Sequence, residues 1–255
     1  MIGLRIGTVR MSRYDPKWPA AFVTEKASLE AALEPLRPSD QLGQGDVRVL
    51  IEHVGSTSVV SLVAKPIIDI VIGFRTTNDV SRGLALLAKS GRSYVKGANQ
   101  PGMLFMASGP EGSRSFHYHL VVVGTPAWRR LIVFRDYLRR HPGVAREYGE
   151  LKSRLAQEYP KSRADYQIHK APALRAIMQR GFAEDQRRRQ AAATRLAAQL
   201  ADEEVALRAW WALGKGRAPW EPRTGDTADA VSVVHGGDAP SSVWEPIDDG
   251  GIDLE

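Results

Sequence analysis

The chain contains no cysteine and no long apolar run. The absence of cysteine excludes disulfides, thiolate metal sites and cysteine nucleophiles. No stretch approaches the roughly 18 uninterrupted apolar residues that a membrane-spanning helix needs. Residues 1–10 also lack an apolar core long enough for a signal peptide. We therefore expect a cytoplasmic protein that does not cross a membrane.

The composition is that of a globular protein with an uneven charge. With 255 residues, 43% of them apolar, the chain can bury the core of one main domain plus an appendage. Residues 218–255 hold nine acidic residues and one basic residue, a net charge of −8, so the rest carries +14 toward the total of +6. A basic body attracts polyanions such as nucleotides. Nucleic acid is a disfavoured partner because the basic residues are scattered and no nucleic-acid-binding module is recognisable.

A turn of small residues follows the first predicted strand, Arg48–Val54, and its sequence is Gly55-Ser56-Thr57-Ser58. Glycine lets the backbone approach a bulky anion, and the hydroxyl and N–H groups at the start of a short helix, predicted over Thr57–Val63, favour negative charge. The turn is therefore a candidate site for a triphosphate. The alternative is an ordinary turn, in which Gly-Ser pairs are common.

An acidic residue lies within the next predicted strand, Pro66–Phe74. Strand alternation places Asp69 on one face and Ile68, Ile70 and Ile72 on the other. A buried carboxylate is costly unless a cation or a hydrogen-bond donor meets it, and nucleotide-bound Mg²⁺ is such a cation. Lys65 adds a positive charge at the same rim. The alternative is a structural ion pair of Asp69 with Lys65 or an arginine.

Two histidines lie two positions apart in the strand-like run Ser115–Val123. His117 and His119 therefore project from one face, which can meet Asp69 if the two strands are neighbours. Imidazoles there could ligate a metal, hydrogen-bond a phosphate or act as a general base. The alternative is a pair of partly buried histidines with ordinary hydrogen bonds.

The remaining pattern predicts a mixed α/β chain. Helices are predicted over Pro16–Leu36, Asn78–Ser90 with Asn78 as N-cap, Trp128–Arg140 and Val144–Glu158, and short strands near Ser93–Lys96 and Met103–Ala107. In the third helix, Arg135 is placed either to clamp a phosphate or to form an ion pair with Asp136 or another acid.

The C-terminal third divides into two segments. Leu196, Leu200, Leu207 and Trp210 or Trp211 recur at helical spacing and predict a separate helix or helical pair in 181–213. This stripe is expected to pack on the core or on a second subunit, in which case the chain is a homodimer. Residues 218–255 are predicted to be an acidic tail rich in Gly, Pro and Asp, in which Trp-Glu-Pro occurs twice.

At these motifs the chain resembles the GrpB-like proteins, a family of the nucleotidyltransferase superfamily that shares a fold with polymerase β. The resemblance covers about residues 9–180. It is carried by Tyr14–Trp18, Ile51–Ser58, Ala64–Ile70, Phe116–Val122, Phe134–Arg139, Glu147-Tyr148, Leu151-Lys152, Tyr166 and Lys170.

The resemblance implies a mixed sheet flanked by helices, a helical C-terminal half, and Mg²⁺ or Mn²⁺ held for attack on a nucleoside triphosphate. The chain is therefore expected to divide into a GrpB-like domain at 1–180 and, beyond the resemblance, a helical extension at 181–217 and an acidic tail at 218–255. The superfamily uses two carboxylates on one strand, whereas this chain has Val71 at the second position and a His-x-His element instead. Lys152, Tyr166 and Lys170 are carried over as nucleotide or substrate contacts. Val60-Ser61 stands where relatives have Pro-Gly, and Met103 where an arginine is common.

We therefore expect metal-dependent transfer of a nucleotidyl group, AMP from ATP or another triphosphate, to a small-molecule acceptor. Asp69 is the expected metal ligand, and His119, favoured over His117, is the expected base or second ligand. A ligase that forms AMP and an amide would use the same site. A non-catalytic nucleotide or polyanion sensor, in which Val71 records a lost metal site, is the third alternative.

Overall fold

The computed structural model describes residues 2–36 and 49–212, with side chains described as far as residue 202. The strands are β1 (Leu4–Arg5), β2 (Leu50–Val54), β3 (Ile68–Phe74), β4 (Ser93–Tyr94), β5 (Met103–Ser108), β6 (Ser113–Arg114) and β7 (Phe116–Val122). The helices are α1 (Lys17–Ala32), α2 (Thr77–Lys89), α3 (Pro126–Arg140), α4 (Pro142–Glu158) and α5 (Arg163–Ala212), with short 3₁₀ turns at Glu34–Leu36 and Ser56–Ser58. None of the helices in this part of the chain is long and apolar enough to cross a membrane.

A five-stranded mixed sheet forms the centre of the fold, in the order β2-β3-β7-β5-β4. The β3–β7 pair is parallel, and the other pairs are antiparallel. A separate two-stranded sheet joins β1 to β6. The mixed sheet flanked by helices and the helical C-terminal half confirm the predicted fold class.

Strand β3 is buried along its whole length because both faces of the sheet are covered. Ile68, Ile70 and Ile72 pack in one apolar cluster with residues of α1 and α2. Val71 lies in the other cluster, with residues of α3, α4 and the first part of α5. The predicted alternation is therefore confirmed, and Asp69 belongs to the face that α3, α4 and α5 cover.

The segment after β2 forms less helix than the sequence predicts. The helix expected over Thr57–Val63 is wrong, since only the 3₁₀ turn Ser56–Ser58 forms and Val59 is already extended. Hydroxyl side chains followed by two valines favour a short turn over a regular helix. Ser61 then has φ 67°, a left-handed conformation that glycine adopts at much lower cost.

Helix α2 begins earlier than predicted because the N-cap is Thr76 and not Asn78. The Asp79 backbone N–H donates to Thr76 Oγ1 over 3.1 Å, and the Thr76 hydroxyl donates to the Asp79 carboxylate over 2.7 Å. This reciprocal pair satisfies a helix-start N–H that would otherwise lack an intrahelical acceptor.

Helix α5 runs without a break from Arg163 to Ala212, so the separate helix predicted from 181 is wrong. Gly181 is not a stop signal; a Cβ at this position would lie only 3.0 Å from Val133. The chain divides into compact units after Asp185. Leu196 and Leu200 are each 57% exposed, and the packing of this stripe on the core or on a second subunit stays a prediction. The side chains of 207–211 and the tail at 218–255 lie outside the described residues.

Candidate functional site

Asp69, His117 and His119 form one cluster at the centre of the sheet. Asp69 is the register partner of His117, and Val71 is that of His119, so the alternation of β3 and β7 turns all three polar side chains to the same face. His117 Nδ1 and His119 Nε2 each lie 3.2 Å from the same oxygen, Asp69 Oδ1. The structure thus brings together the carboxylate and both imidazoles singled out in the sequence, and we call them the imidazole–carboxylate cluster.

Each member of the cluster has one buried polar atom that makes no hydrogen bond to the described residues. Asp69 and His119 are 1% exposed and His117 is 5% exposed. Asp69 Oδ2, His117 Nε2 and His119 Nδ1 have no hydrogen-bond partner among the described residues. An unsatisfied buried polar group costs about 1–3 kcal/mol, so three around one carboxylate indicate a site that bound water or a ligand completes.

The charges of the cluster follow from its burial and hydrogen bonds. Burial acts to raise the pKa of Asp69, but the hydrogen bonds and charges of His117 and His119 outweigh it and hold the pKa below its usual value. Burial lowers the pKa of His117 despite the opposing effect of Asp69. Since an ionised carboxylate only accepts hydrogen bonds, His117 donates from Nδ1–H and His119 from Nε2–H. A neutral ring at position 117 therefore presents a lone pair at Nε2.

Phe105 on β5 packs against the two imidazoles and was not singled out in the sequence. Its ring lies 5.0 Å from that of His117 and 5.4 Å from that of His119, at interplanar angles of 61° and 58°. Phe105 pairs with His119 in the sheet register. The alternation of β5 could have placed it on this face, but the neighbour of β7 is not readable from the sequence.

The Gly55 turn lies beside the cluster because Val54 pairs with Asp69. Gly55 has φ 68° and ψ −171°, a backbone region that essentially only glycine occupies. The turn is therefore fixed at this residue, next to the buried carboxylate, as the sequence predicts.

The hydroxyl groups of the turn are already engaged in hydrogen bonds within the protein. Lys152 Nζ donates to Ser56 Oγ over 2.7 Å, His53 Nε2 and Thr57 Oγ1 lie 3.0 Å apart, and Ser58 Oγ donates to the Gly55 carbonyl over 2.6 Å. All three hydroxyl-bearing residues are buried. A phosphate at this turn would compete with the bond that the Ser58 hydroxyl donates, and the phosphate role of the turn stays a prediction.

Three of the predicted contact residues are buried lysines, and two of them share an aromatic ring. Lys65 Nζ lies 4.7 Å and Lys170 Nζ 5.2 Å from the centroid of the Tyr166 ring. Lys152 Nζ lies 4.8 Å from the Tyr148 ring. Lys65, Lys170 and Lys152 are 5%, 1% and 1% exposed, and lysines buried to this degree are almost always paired. The structure thus groups Lys65, Tyr166 and Lys170, and separately joins Lys152 to Ser56.

Arg135 adopts the second of its two predicted roles. Its Nε donates to Asp136 over 2.7 Å, and its Nη1 donates to Glu52 over 2.8 Å and to the His53 carbonyl over 3.2 Å. Burial acts to lower the pKa of Arg135, but Asp136 and Glu52 raise it above the usual value. In this arrangement Arg135 ties α3 to β2, and its phosphate role stays a prediction.

Two further residues that support the turn were not singled out as functional. Arg139 donates from Nε and Nη2 to the Ser58 carbonyl over 3.1 and 2.9 Å. His53 stacks on Phe22 at 5.0 Å, and burial lowers the pKa of His53 to about 4. A histidine that directly precedes the Val-Gly-Ser turn within a strand was the only sequence signal for this role.

The usual two-metal arrangement does not fit these residues. Val71, at the expected second carboxylate position, lies in the apolar core. Across residues 2–36 and 49–202, no group of three or more His, Cys, Asp or Glu is placed to hold a metal ion. The donor chemistry of Asp69 Oδ2 is compatible with a single Mg²⁺, because a carboxylate oxygen is a ligand that Mg²⁺ prefers and the ion commonly completes its shell with phosphates and water. A nitrogen ligand such as His119 Nδ1 would suit Mn²⁺ better.

The region that contains this sheet and this site matches a known protein family. The GrpB protein family matches residues 8–180, and the chain belongs to that family. The crystal structure of the conserved protein GrpB from Enterococcus faecalis is similar to this chain, with a TM-score of 0.58 and 29% identity. That similarity covers 69% of this chain and 98% of the Enterococcus chain.

Several bacterial proteins are similar over the same region. The chain is 35% identical over 159 residues to the UPF0157 protein YqkA of Bacillus subtilis, which covers 62% of this chain and 43% of YqkA. It is 35% identical over 170 residues to a UPF0157 protein of Pseudomonas aeruginosa, covering 66% of each. It is 30% identical over 182 residues to the glutamate-rich protein GrpB of Alkalihalophilus pseudofirmus, covering 70% of this chain and 98% of that protein. None of these names states an activity.

Proposed function

We propose that this GrpB protein transfers a nucleotidyl group, AMP from ATP or another triphosphate, to a small-molecule acceptor with the help of Mg²⁺ or Mn²⁺. The observation that carries the proposal is the state of Asp69. Two imidazoles keep its carboxylate ionised in the core, and Oδ2 has no hydrogen bond among the described residues. An ionised buried carboxylate whose second oxygen has no hydrogen bond is stabilised by a cation, and nucleotide-bound Mg²⁺ is such a cation.

In the proposed reaction an oxygen or nitrogen of the acceptor attacks the α-phosphorus, and the bond to the β-phosphate breaks to release pyrophosphate. The proton of the acceptor passes to an imidazole nitrogen that is free to accept it, His117 Nε2 or His119 Nδ1. The ammonium groups of Lys65 and Lys170, 4.7 and 5.2 Å from the Tyr166 ring, stabilise negative charge on the phosphates. A bound Mg²⁺ would neutralise phosphate charge.

The test is a screen of the four nucleoside triphosphates with Mg²⁺ or Mn²⁺ against a metabolite mixture, with pyrophosphate release as the signal. Asp69→Asn keeps the shape of the side chain and removes its charge, so we expect release to fall at least about a hundredfold. Asp202→Asn makes the same change at an exposed position of α5 and should leave the rate unchanged. Equal rates for the two variants would remove the catalytic assignment.

The products decide between transfer and ligation at this site. A stable nucleotidylated acceptor supports the transferase. Free AMP together with an amide would instead identify the AMP-forming ligase.

A second function is favoured by the depth of the cluster. Asp69 and His119 are each 1% exposed, and Val71 leaves the strand with a single carboxylate on this face. Both features suit a protein that binds a nucleotide without turning it over. Tight nucleotide binding without added metal, with no pyrophosphate in the screen, would support this sensor function over the enzyme.

A further inference from the structure

A basic cleft opens beside the imidazole–carboxylate cluster. We use this name for the cleft lined by Arg5, Lys65, Arg114, Arg163 and His117 together with small and apolar residues of the β1 region and Ile67. The cleft is open to solvent at its mouth. Within the part of the chain that the structure describes, none of its ten lining residues is acidic.

The walls of the cleft are held by backbone hydrogen bonds. Leu4 pairs with Arg114 and Arg5 with Ser113 in the small β1–β6 sheet. The Gly3 N–H donates to the Pro66 carbonyl over 2.7 Å, and the Ile6 N–H donates to the Gly112 carbonyl over 2.9 Å. The cationic side chains therefore start from fixed positions, which limits the ordering that a ligand would have to impose.

The positive charges in the cleft repel one another. Burial lowers the pKa of Arg114 below its usual value, and the charge of Arg163 lowers it further. The charge of Arg114 in turn acts at His117. Like charges held together in a partly buried cleft create a field that attracts a multiply charged anion.

His117 connects this field to the cluster. Its Nδ1 faces Asp69, and its Nε2, on the opposite side of the ring, has no hydrogen-bond partner among the described residues. His117 lines the basic cleft, whereas Asp69 and His119 do not. His117 therefore lies between the cleft and the other two members of the cluster.

We propose that the basic cleft binds the phosphoryl group of a small-molecule substrate next to His117. Several fixed cations around a compact space suit a phosphoryl dianion, which arginine binds through two parallel hydrogen bonds. The residues of the Gly55 turn do not line the cleft, so the cleft is a separate site from the turn. The phosphoryl group that it binds belongs either to a phosphorylated acceptor or to the nucleotide. That the bound group belongs to a substrate rests on the proposed function. Phosphate binding in the cleft can be measured whether or not the protein turns a substrate over.

The experiment is calorimetric titration of the full-length chain with inorganic phosphate and with pyrophosphate, at low and at high salt. Arg114→Gln and Arg5→Gln should each weaken binding about tenfold, because each removes a charged hydrogen-bond donor. Arg5 is exposed, so its substitution leaves the core intact, and thermal unfolding verifies the fold of Arg114→Gln. Arg82→Gln, a matched change on α2 where the side chain is 56% exposed, should alter affinity less than about twofold.

Competition between ATP and phosphate then shows which molecule carries the phosphoryl group that the cleft binds. Mutual exclusion places the nucleotide's own phosphates in the cleft, and simultaneous binding assigns the cleft to a phosphorylated acceptor. Absence of phosphate and pyrophosphate binding, or equal weakening by all three arginine substitutions, overturns the proposal. Phosphate binding without pyrophosphate release in any screen would refute only the proposed transferase, and release without phosphate binding would refute only the cleft.

Discussion

Lys152 Nζ donates a 2.7 Å hydrogen bond to Ser56 Oγ, and this bond joins α4 to the turn that follows β2. Lys152 is 1% exposed and Ser56 is fully buried, so water does not compete for the bond. The Gly55 turn therefore keeps its place beside Asp69 through a charged donor that lies 96 residues further along the chain.

The first prediction concerns the strength of this bond. A double-mutant cycle of Lys152→Met and Ser56→Ala should give a coupling free energy of about 1.5–3 kcal/mol, as for a hydrogen bond to a charged group. The measurement is urea unfolding of the wild type, both single variants and the double variant. As a control, Lys152→Met combined with Ser81→Ala, whose hydroxyl bonds to Thr77 in α2, should couple by less than about 0.5 kcal/mol. Equal coupling in both cycles would show that the contact contributes nothing specific.

The second prediction concerns the tautomers of the cluster. At neutral pH, ¹⁵N NMR of the imidazoles should show His117 protonated at Nδ1 and His119 at Nε2, because each must donate to Asp69 Oδ1. His169, which is exposed and stacks on Tyr159 at 4.8 Å, provides the unconstrained reference. The reverse tautomers at 117 and 119 would contradict the hydrogen-bond arrangement on which the proposed base depends.

Much of this site was predictable because it depends on strand periodicity. Two β-rich runs, one with Asp69 and one with histidines two positions apart, can align their polar residues only on one face if they are neighbours. The engagement of the turn hydroxyls was not predictable, because their partners His53 and Lys152 are brought in by packing.

The basic cleft could not be predicted from the sequence either. Arg5 and Arg114 lie in strands of two residues, and a run of that length has no period to detect. Similarly, periodicity could find the helical pattern of 181–213 but not its continuity with the preceding helix. Gly181 has the residue type of a helix stop, and only its contact distance to α3 shows that it serves close packing.

The third prediction is a pH dependence of stability that arises from His53. Burial lowers the pKa of His53 from 6.5 to about 4, so the folded protein favours the neutral ring. The unfolded chain therefore binds the proton first as the pH falls, and stability is lost between pH 6.5 and about 4, by up to about 3 kcal/mol. His53→Gln, which can still bond to Thr57, should show a shallower loss in this window.

Denaturant unfolding at a series of pH values measures this difference. His169→Gln, the same change at an exposed ring, should keep the wild-type slope. Asp69 also contributes stability that is lost as the pH falls, because its pKa is held low in the folded state, and all three proteins retain this carboxylate. Parallel curves for wild type and His53→Gln would show that the ring is not buried in its neutral form.

The fourth prediction concerns Ser61, which follows the Gly55 turn with φ 67°. A left-handed conformation costs a non-glycine residue about 1–2 kcal/mol, while glycine adds about 0.4–1 kcal/mol of backbone entropy to the unfolded chain. Ser61→Gly should therefore raise the free energy of unfolding by about 0.5–1 kcal/mol, measured as a higher urea midpoint at unchanged slope. Ser81→Gly, inside α2, should instead lower it by about 0.5 kcal/mol, because right-handed helical geometry offers glycine no compensation. A loss of stability at both positions would mean that the Ser61 side chain makes a contact that outweighs its backbone strain.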